Sequence, residues 1–106
     1  MKQRDKTLLE AKATVLKALG HPTRLWLAEQ LADGEQCVCQ LAESIDADVS
    51  TVSKHLAVLR NAGVVSVEKR GKQVYYRIKV PCILHYLPCI EAVIRAQVQD
   101  QIACLI

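Results

Sequence analysis

The segment from Asp48 to Lys79 constrains this chain most, because it joins an amphipathic helix pattern to a basic hairpin pattern. Between Ser50 and Lys79 the sequence holds seven Lys or Arg side chains and a single carboxylate, Glu68. The whole chain of 106 residues carries a formal charge of +3, so the residues outside this segment are acidic in sum. Such a concentration of positive charge is typical of a surface that contacts nucleic-acid phosphates.

The first half of this segment is predicted to be a helix with one buried face and one polar face. Val52, Leu56 and Leu59 recur at helical spacing and form the predicted buried stripe. Asp48 suits the N-cap position, and Gly63 suits the residue that ends the helix. The other face is polar and mostly short-chained, so its backbone can approach a large partner; it consists of Ser50, Ser53, Lys54, Ala57 and Asn61.

The second half is predicted to be a β-hairpin. Runs 64–69 and 73–78 are rich in β-branched and aromatic residues, and a Gly-containing turn with a basic tip separates them. A solvated helix face or a charged turn is common on its own, but side by side they favour binding to duplex DNA. The residue types that contact phosphates and base edges, and hence the predicted DNA-binding residues, are Ser50, Thr51, Ser53, Lys54, His55, Arg60, Lys69, Arg70 and Lys72.

Helices are predicted elsewhere along the chain, which gives a mainly α fold of about five helices in one domain spanning residues 1–106. Helices are expected over 5–19, from Pro22 to about 32, near 38–45, and over 81–103, with Pro88 kinking or dividing the last one. Apolar residues make up 51% of the chain and aromatics only 4%, a high share for a small monomer. The terminal helices 5–19 and 81–103 are therefore expected to form a dimer interface.

The cysteine content indicates a reducing compartment. The five cysteines are Cys37, Cys39, Cys82, Cys89 and Cys104. An odd number of thiols without a secretory signal favours a cytoplasmic protein and argues against a structural disulfide framework. No run of 18 apolar residues is present, so no membrane span is expected.

The Cys37-Val38-Cys39 segment is a candidate site for a soft ion. On a helix, residues i and i+2 point about 200° apart, whereas in an extended segment they point to the same side. Two sulfurs at this spacing therefore chelate best where the pair straddles the start of a helix, and the apolar phase places a helix start here. The helix N-terminus also favours the thiolate, which selects soft ions such as arsenite, cadmium, lead, zinc or copper(I).

Three segments in continuous order resemble the ArsR/SmtB family of metal- and arsenic-responsive winged-helix repressors. They are Leu19-Gly-His-Pro-Thr-Arg-Leu25, the helix sequence Thr51–Val65, and Gly71-Lys-Gln-Val-Tyr-Tyr-Arg77. The resemblance covers about residues 8–79 and implies a winged helix-turn-helix fold, a homodimer and double-stranded operator DNA as partner. It also implies that Cys37 and Cys39 bind the inducer at the start of the DNA-reading motif.

The resemblance departs from the family's known patterns at the third ligand. Arsenic-responsive members carry a third cysteine where this chain has Ala42, and residues 1–36 contain no cysteine that would replace it. A third sulfur would come from Cys82, Cys89 or Cys104, which are weaker candidates than Cys37 and Cys39. Arsenite is the expected inducer, with cadmium, lead or zinc as alternatives and with no organic cofactor.

Two further interpretations of the cysteines stay open at the level of sequence. The same DNA-binding repressor would use them as a redox or persulfide switch. A thiol oxidoreductase or metal carrier is disfavoured, because the chain lacks Cys-X-X-Cys, a βαβ pattern, paired acid and base residues and a phosphate-binding loop. We therefore do not expect an enzyme.

Overall fold

The computed structural model describes residues 1–105 and has the predicted mainly α architecture with a β-hairpin. Five α-helices, three strands and one 3-10 helix follow in chain order: α1 Gln3–Leu19, α2 Pro22–Leu31, β1 Gln36–Cys37, α3 Val38–Ser44, α4 Val49–Asn61, β2 Val65–Arg70, β3 Gln73–Ile78, the 3-10 helix Pro81–His85 and α5 Tyr86–Leu105. The three antiparallel strands form one sheet in the order β1-β3-β2. Within residues 1–105, no helix is both long and apolar enough to cross a membrane.

One apolar core holds α2, α3, α4 and the base of the sheet together. The predicted stripe of Val52, Leu56 and Leu59 is fully buried in it. Leu27, Leu41 and Val65 reach the same centre from α2, α3 and β2. Each fully buried aliphatic side chain contributes about 1.5–3 kcal/mol relative to exposure, so this core fixes α4 against its neighbours.

Turn residues fix how α4 and the hairpin are connected. Gly63 lies just past the end of α4 with φ of +83°, a conformation that side chains rarely adopt. Gly71 has φ of +61° in the turn between β2 and β3. Asp46 takes φ of 51° between α3 and α4, and Asp is one of the few residue types that tolerate it. The chain therefore reads as a helix-turn-helix followed by a wing, the β2–β3 hairpin.

Two sequence expectations need correction. The strand β1 was not predicted, because two residues show no periodicity. The helix predicted over 81–103 is divided, but the break falls before Pro88, where the 3-10 helix ends and α5 begins at Tyr86. Pro88 then lies in the first turn of α5, where a backbone N–H has no intrahelical partner to lose.

The terminal helices expose most of their apolar side chains. Helix α5 contains no buried residue, and Tyr86, Val93 and Ile94 are each more than half exposed. In α1, Leu8 and Leu16 are also more than half exposed, whereas Ala18 and Leu19 join the core. The single chain thus leaves a large apolar surface on α1 and α5 uncovered.

Candidate nucleic-acid interface and thiol site

The polar face of α4 is open along its length. Ser50, Thr51, Lys54 and Arg60 are exposed, and Ser53 is half-buried. Among residues 1–105, neither Lys54 nor Arg60 forms an ion pair with a carboxylate. These cations and hydroxyls are therefore exposed on one face of α4, and their contact with DNA stays a prediction.

His55 occupies a different position from the other predicted DNA-binding residues of α4. Its ring lies against that of His21, with 4.5 Å between ring centroids and a tilt of 37°, and its Nδ1 lies 3.4 Å from Nη1 of Arg24. His21 itself caps α2 by accepting a hydrogen bond from the Thr23 N–H. Burial, followed by the charges of His21 and Arg24, lowers the pKa of His55. His55 thus packs α4 against α2.

The wing carries its three predicted cations at its tip, but their surroundings differ. Lys69 and Lys72 are exposed and have no carboxylate partner within residues 1–105. Arg70 instead donates to both carboxylate oxygens of Glu35, one at 2.9 Å, and to Glu68 at 2.8 Å. These hydrogen bonds, that to Glu35 first, raise the pKa of Arg70, and the Arg70 guanidinium also lies 4.7 Å from the ring centre of Tyr75.

The two predicted thiol residues meet at the junction of β1 and α3. Cys37 is the last residue of β1 and the N-cap of α3, and Cys39 lies in the first turn. Their Cα atoms are 5.5 Å apart and their sulfurs are paired as a disulfide. The backbone N–H of Cys37 donates to Oε1 of Gln40 at 3.1 Å, which secures the helix start. The extended residue before the helix brings the sulfurs together, as the spacing predicted.

The thiol pair lies against the wing. Cys37 is the register partner of Tyr75 on β3, and Sγ of Cys39 is 3.5 Å from Oε1 of Gln73 on the same strand. Cys37 is buried whereas Cys39 is exposed. A ligand or covalent bond at the Cys39 sulfur therefore forms at the protein surface. This sulfur lies beside β3, the strand that follows the basic turn of the wing.

The other cysteines lie in the C-terminal region. Cys82 is in the 3-10 helix, Cys89 is near the start of α5 and Cys104 is near its end, and all three are exposed free thiols. Within the described residues, no group of three or more His, Cys, Asp or Glu side chains is arranged to hold a metal ion. Residues 1–105 of one chain thus present two converging sulfurs without a complete three-ligand site.

Sequence reasoning missed the residues that connect the thiol pair to the wing. Glu35, Gln73 and Tyr75 come from segments 38 to 40 positions apart, and their contacts depend on the pairing of β1 with β3. Only the run of β-forming residues around Tyr75 gave a signal, and it indicated a strand without indicating its second neighbour.

Comparison with known proteins agrees with the helix-turn-helix and wing described above. The model of the family described as "Bacterial regulatory protein, arsR family" matches residues 21–67. A biofilm growth-associated repressor of Agrobacterium fabrum is 46% identical over 66 residues, which cover 62% of this chain and 56% of that protein. A cadmium resistance transcriptional regulatory protein CadC homolog of Staphylococcus aureus is 43% identical over 67 residues, covering 62% and 55%. This chain thus spans about half the length of these two relatives.

Matches over nearly the whole chain also exist. The HTH-type transcriptional regulator Rv0081 of Mycobacterium tuberculosis is 33% identical over 99 residues, covering 92% of this chain and 87% of that protein. The homodimeric winged helix-turn-helix DNA-binding domain Mb0332 of Mycobacterium bovis superposes with a TM-score of 0.80 at 28% identity, over 94% of this chain and 93% of that one. By its helix-turn-helix, its wing and these matches, the chain belongs to the ArsR family of bacterial regulatory proteins.

Proposed function

We propose that this chain is a homodimeric transcriptional repressor that binds operator DNA and is released when arsenite binds the thiolates of Cys37 and Cys39. It acts in the cytoplasm, where thiols stay reduced, and it has no enzymatic activity and no organic cofactor. The observation that carries the proposal is the position of the two sulfurs, which converge at the start of the helix-turn-helix and beside the wing.

The charge distribution supports DNA as the partner. Helix α4 would lie in a major groove with Ser50, Thr51, Ser53 and Lys54 toward the bases and backbone, while Arg60 contacts a phosphate. Lys69 and Lys72 of the wing would contact the flanking backbone. His55 and Arg70 are engaged inside the chain, so we assign them to holding α4 and the wing in place.

The uncovered apolar surface supports a homodimer. Helices α1 and α5 carry a stripe of exposed aliphatic side chains for which the described part of the chain offers no cover. Exposed apolar patches of this extent mark interaction surfaces. A second copy of the chain would cover them through a two-fold interface and set the spacing between the two α4 helices, which must match successive major grooves of the operator.

The chemistry of the donor set supports a soft ion. Two thiolates next to a helix start suit arsenite, and the third thiolate that arsenite favours would come from Cys82, Cys89 or Cys104. Binding there would shift the helix-turn-helix and weaken operator binding; a coupling of about 1–3 kcal/mol changes affinity roughly 5- to 150-fold.

The test is a titration of reduced protein against a fluorescent fragment of its own promoter, with and without arsenite, at two salt concentrations. The variant Cys37→Ala/Cys39→Ala is expected to bind DNA as the wild type does and to lose release by arsenite. The single variants Cys82→Ala, Cys89→Ala and Cys104→Ala are matched controls; we expect only the one that supplies the third sulfur to weaken release.

Two results would contradict the proposal. Failure of the reduced wild-type protein to bind the promoter fragment at moderate salt would exclude the repressor function. Normal release of the Cys37→Ala/Cys39→Ala variant by arsenite would show that the inducer site lies elsewhere.

A second candidate inducer is an oxidant or polysulfide, and the pairing of Cys37 with Cys39 as a disulfide favours it. In that reaction the two thiols give two electrons and two protons to the oxidant and form one S–S bond. Mass measurement after polysulfide treatment distinguishes it from arsenite: loss of two hydrogen atoms, with operator release, supports the redox version.

Cadmium, lead or zinc is the third candidate, because one relative is named a cadmium resistance regulatory protein. These ions also take thiolate ligands. The same titration run in parallel with each ion ranks them by the concentration that releases the promoter fragment.

A further inference from the structure

The tip of the wing is attached by a side chain to the segment that carries Cys37. Glu35 lies two residues before Cys37 and one before β1, and its carboxylate receives two hydrogen bonds from the guanidinium of Arg70, the last residue of β2. Arg70 and Glu35 are 35 positions apart in sequence. This two-point contact between a planar guanidinium and a carboxylate fixes orientation as well as distance.

Two further contacts hold Arg70 in the same place. Glu68, on the same strand, accepts a hydrogen bond from Arg70 at 2.8 Å, and the Tyr75 ring on β3 lies under the guanidinium with 4.7 Å to its centre. Tyr75 is also the register partner of Cys37. The guanidinium is thus held by residues from β2, from β3 and from the segment that carries Cys37.

The backbone attachment between the thiol segment and the wing is short. Strand β1 has only two residues, and both pair with β3. The Glu35–Arg70 contact adds a side-chain connection between the thiol segment and the wing tip, beyond the two residues at which the strands pair. Cys39 adds a contact to Gln73, which is the register partner of Arg70.

We propose that Glu35 is a positioning residue that couples the thiol pair to the wing through Arg70. A ligand on Cys37 and Cys39 displaces the segment that carries Glu35, and the wing tip moves with it or loses Arg70 from its fixed position. The inference rests on the proposed function and deepens it, since it assigns the route from the thiols to the DNA-binding surface to the wing.

This arrangement also sets the charge of the wing. Arg70 faces the carboxylates of Glu35 and Glu68 together, so this group of three side chains carries a net charge of −1. While Arg70 contacts both carboxylates, the positive charge of the wing tip therefore comes from Lys69 and Lys72. Arg70 itself donates to Glu35 and Glu68 in this arrangement.

The first test measures the ratio of promoter-fragment Kd values with and without arsenite for the wild type, Glu35→Gln, Arg70→Gln and the double variant. Glu43→Gln is the matched control, because Glu43 is exposed on α3 and forms no ion pair within residues 1–105. We expect each single variant to reduce the ratio at least about fivefold relative to wild type, and the double variant to reduce it no further than either single one, because both remove one contact.

The outcomes separate this inference from the proposed function. If no thiol ligand changes the affinity of wild-type protein, the proposed function fails and this route fails with it. If the wild type responds and Glu35→Gln responds equally, the proposed function stands and the route through Glu35 is excluded. Glu43→Gln should respond within twofold of wild type; a loss there equal to that of Glu35→Gln would also exclude the route, because it would reflect charge alone.

The second test needs no DNA. In reduced wild-type protein labelled with ¹⁵N, the Nε–H resonance of Arg70 is followed by NMR as arsenite is added, while mass measurement reports binding. In the wild type, we expect this resonance to shift as arsenite occupies the thiols. In Glu35→Gln, we expect it to start from a different position and to shift little. Full occupancy of the thiols with an unmoved Arg70 resonance in the wild type would overturn the inference.

Discussion

The region between Ala18 and Tyr76 and the C-terminal helix α5 use their apolar residues in opposite ways. Every buried side chain of the described residues lies between Ala18 and Tyr76, and the core there joins helices, strand and turn. Helix α5 has a comparable apolar stripe but no buried residue. Apolar periodicity therefore predicts which face of a helix is apolar, whereas the presence of a partner element decides whether that face is covered.

A substitution in the buried core should have the largest effect, and that effect is on stability. Leu56 is fully buried in the centre of the core, so Leu56→Ala should lower the free energy of unfolding by about 2–5 kcal/mol through lost transfer energy and a cavity. Val58 lies on the same helix but is exposed, and Val58→Ala should change stability by less than about 1 kcal/mol. Denaturant unfolding measures both, and equal losses would contradict the assignment of the core.

A substitution on the exposed apolar stripe of α5 should affect dimer assembly instead of folding. Ile94 is 58% exposed in α5, so Ile94→Asp should weaken the dimer roughly 100-fold, about 3 kcal/mol, because a carboxylate would be buried in the interface. Ala96→Asp, on the opposite face of α5, is the control. Sedimentation at several protein concentrations measures the dimer, and an unchanged assembly in Ile94→Asp would show that this stripe is covered in another way.

The smallest effect is a pH dependence, for which His55 in α4 is compared with His85 in the 3-10 helix. The pKa of His55 lies below its ordinary value near 6.5, mainly through burial. Below that pH the unfolded state binds more protons than the folded state, so stability is full above pH 6.5 and falls as pH drops toward the folded-state pKa. We expect a lower Tm at pH 5.5 than at pH 7.5 in the wild type.

Two variants test whether His55 is the source of this pH dependence. His55→Gln should flatten it, and His85→Gln should keep it, because His85 is exposed in the 3-10 helix. A slope in His55→Gln equal to that of the wild type would place the responsible group elsewhere.

Sequence patterns located some parts of the functional surface and missed others, for physical reasons. Local patterns located α4, the wing and the helix start between Cys37 and Cys39, because helical spacing, β-forming runs and extended geometry are properties of neighbouring residues. They misplaced the break before α5, since the 3-10 helix leaves Pro88 in a first turn where it costs little. They gave no sign that Arg70 contacts the carboxylates of Glu35 and Glu68.

The family, the helix-turn-helix with its wing and the convergence of two sulfurs could be predicted, because each depends on residues close together in the chain. The contacts of His55 with His21 and of Glu35 with Arg70 form only in the folded protein. Those contacts join positions more than 30 residues apart, and their partners are fixed by core packing and strand register, which no local pattern records.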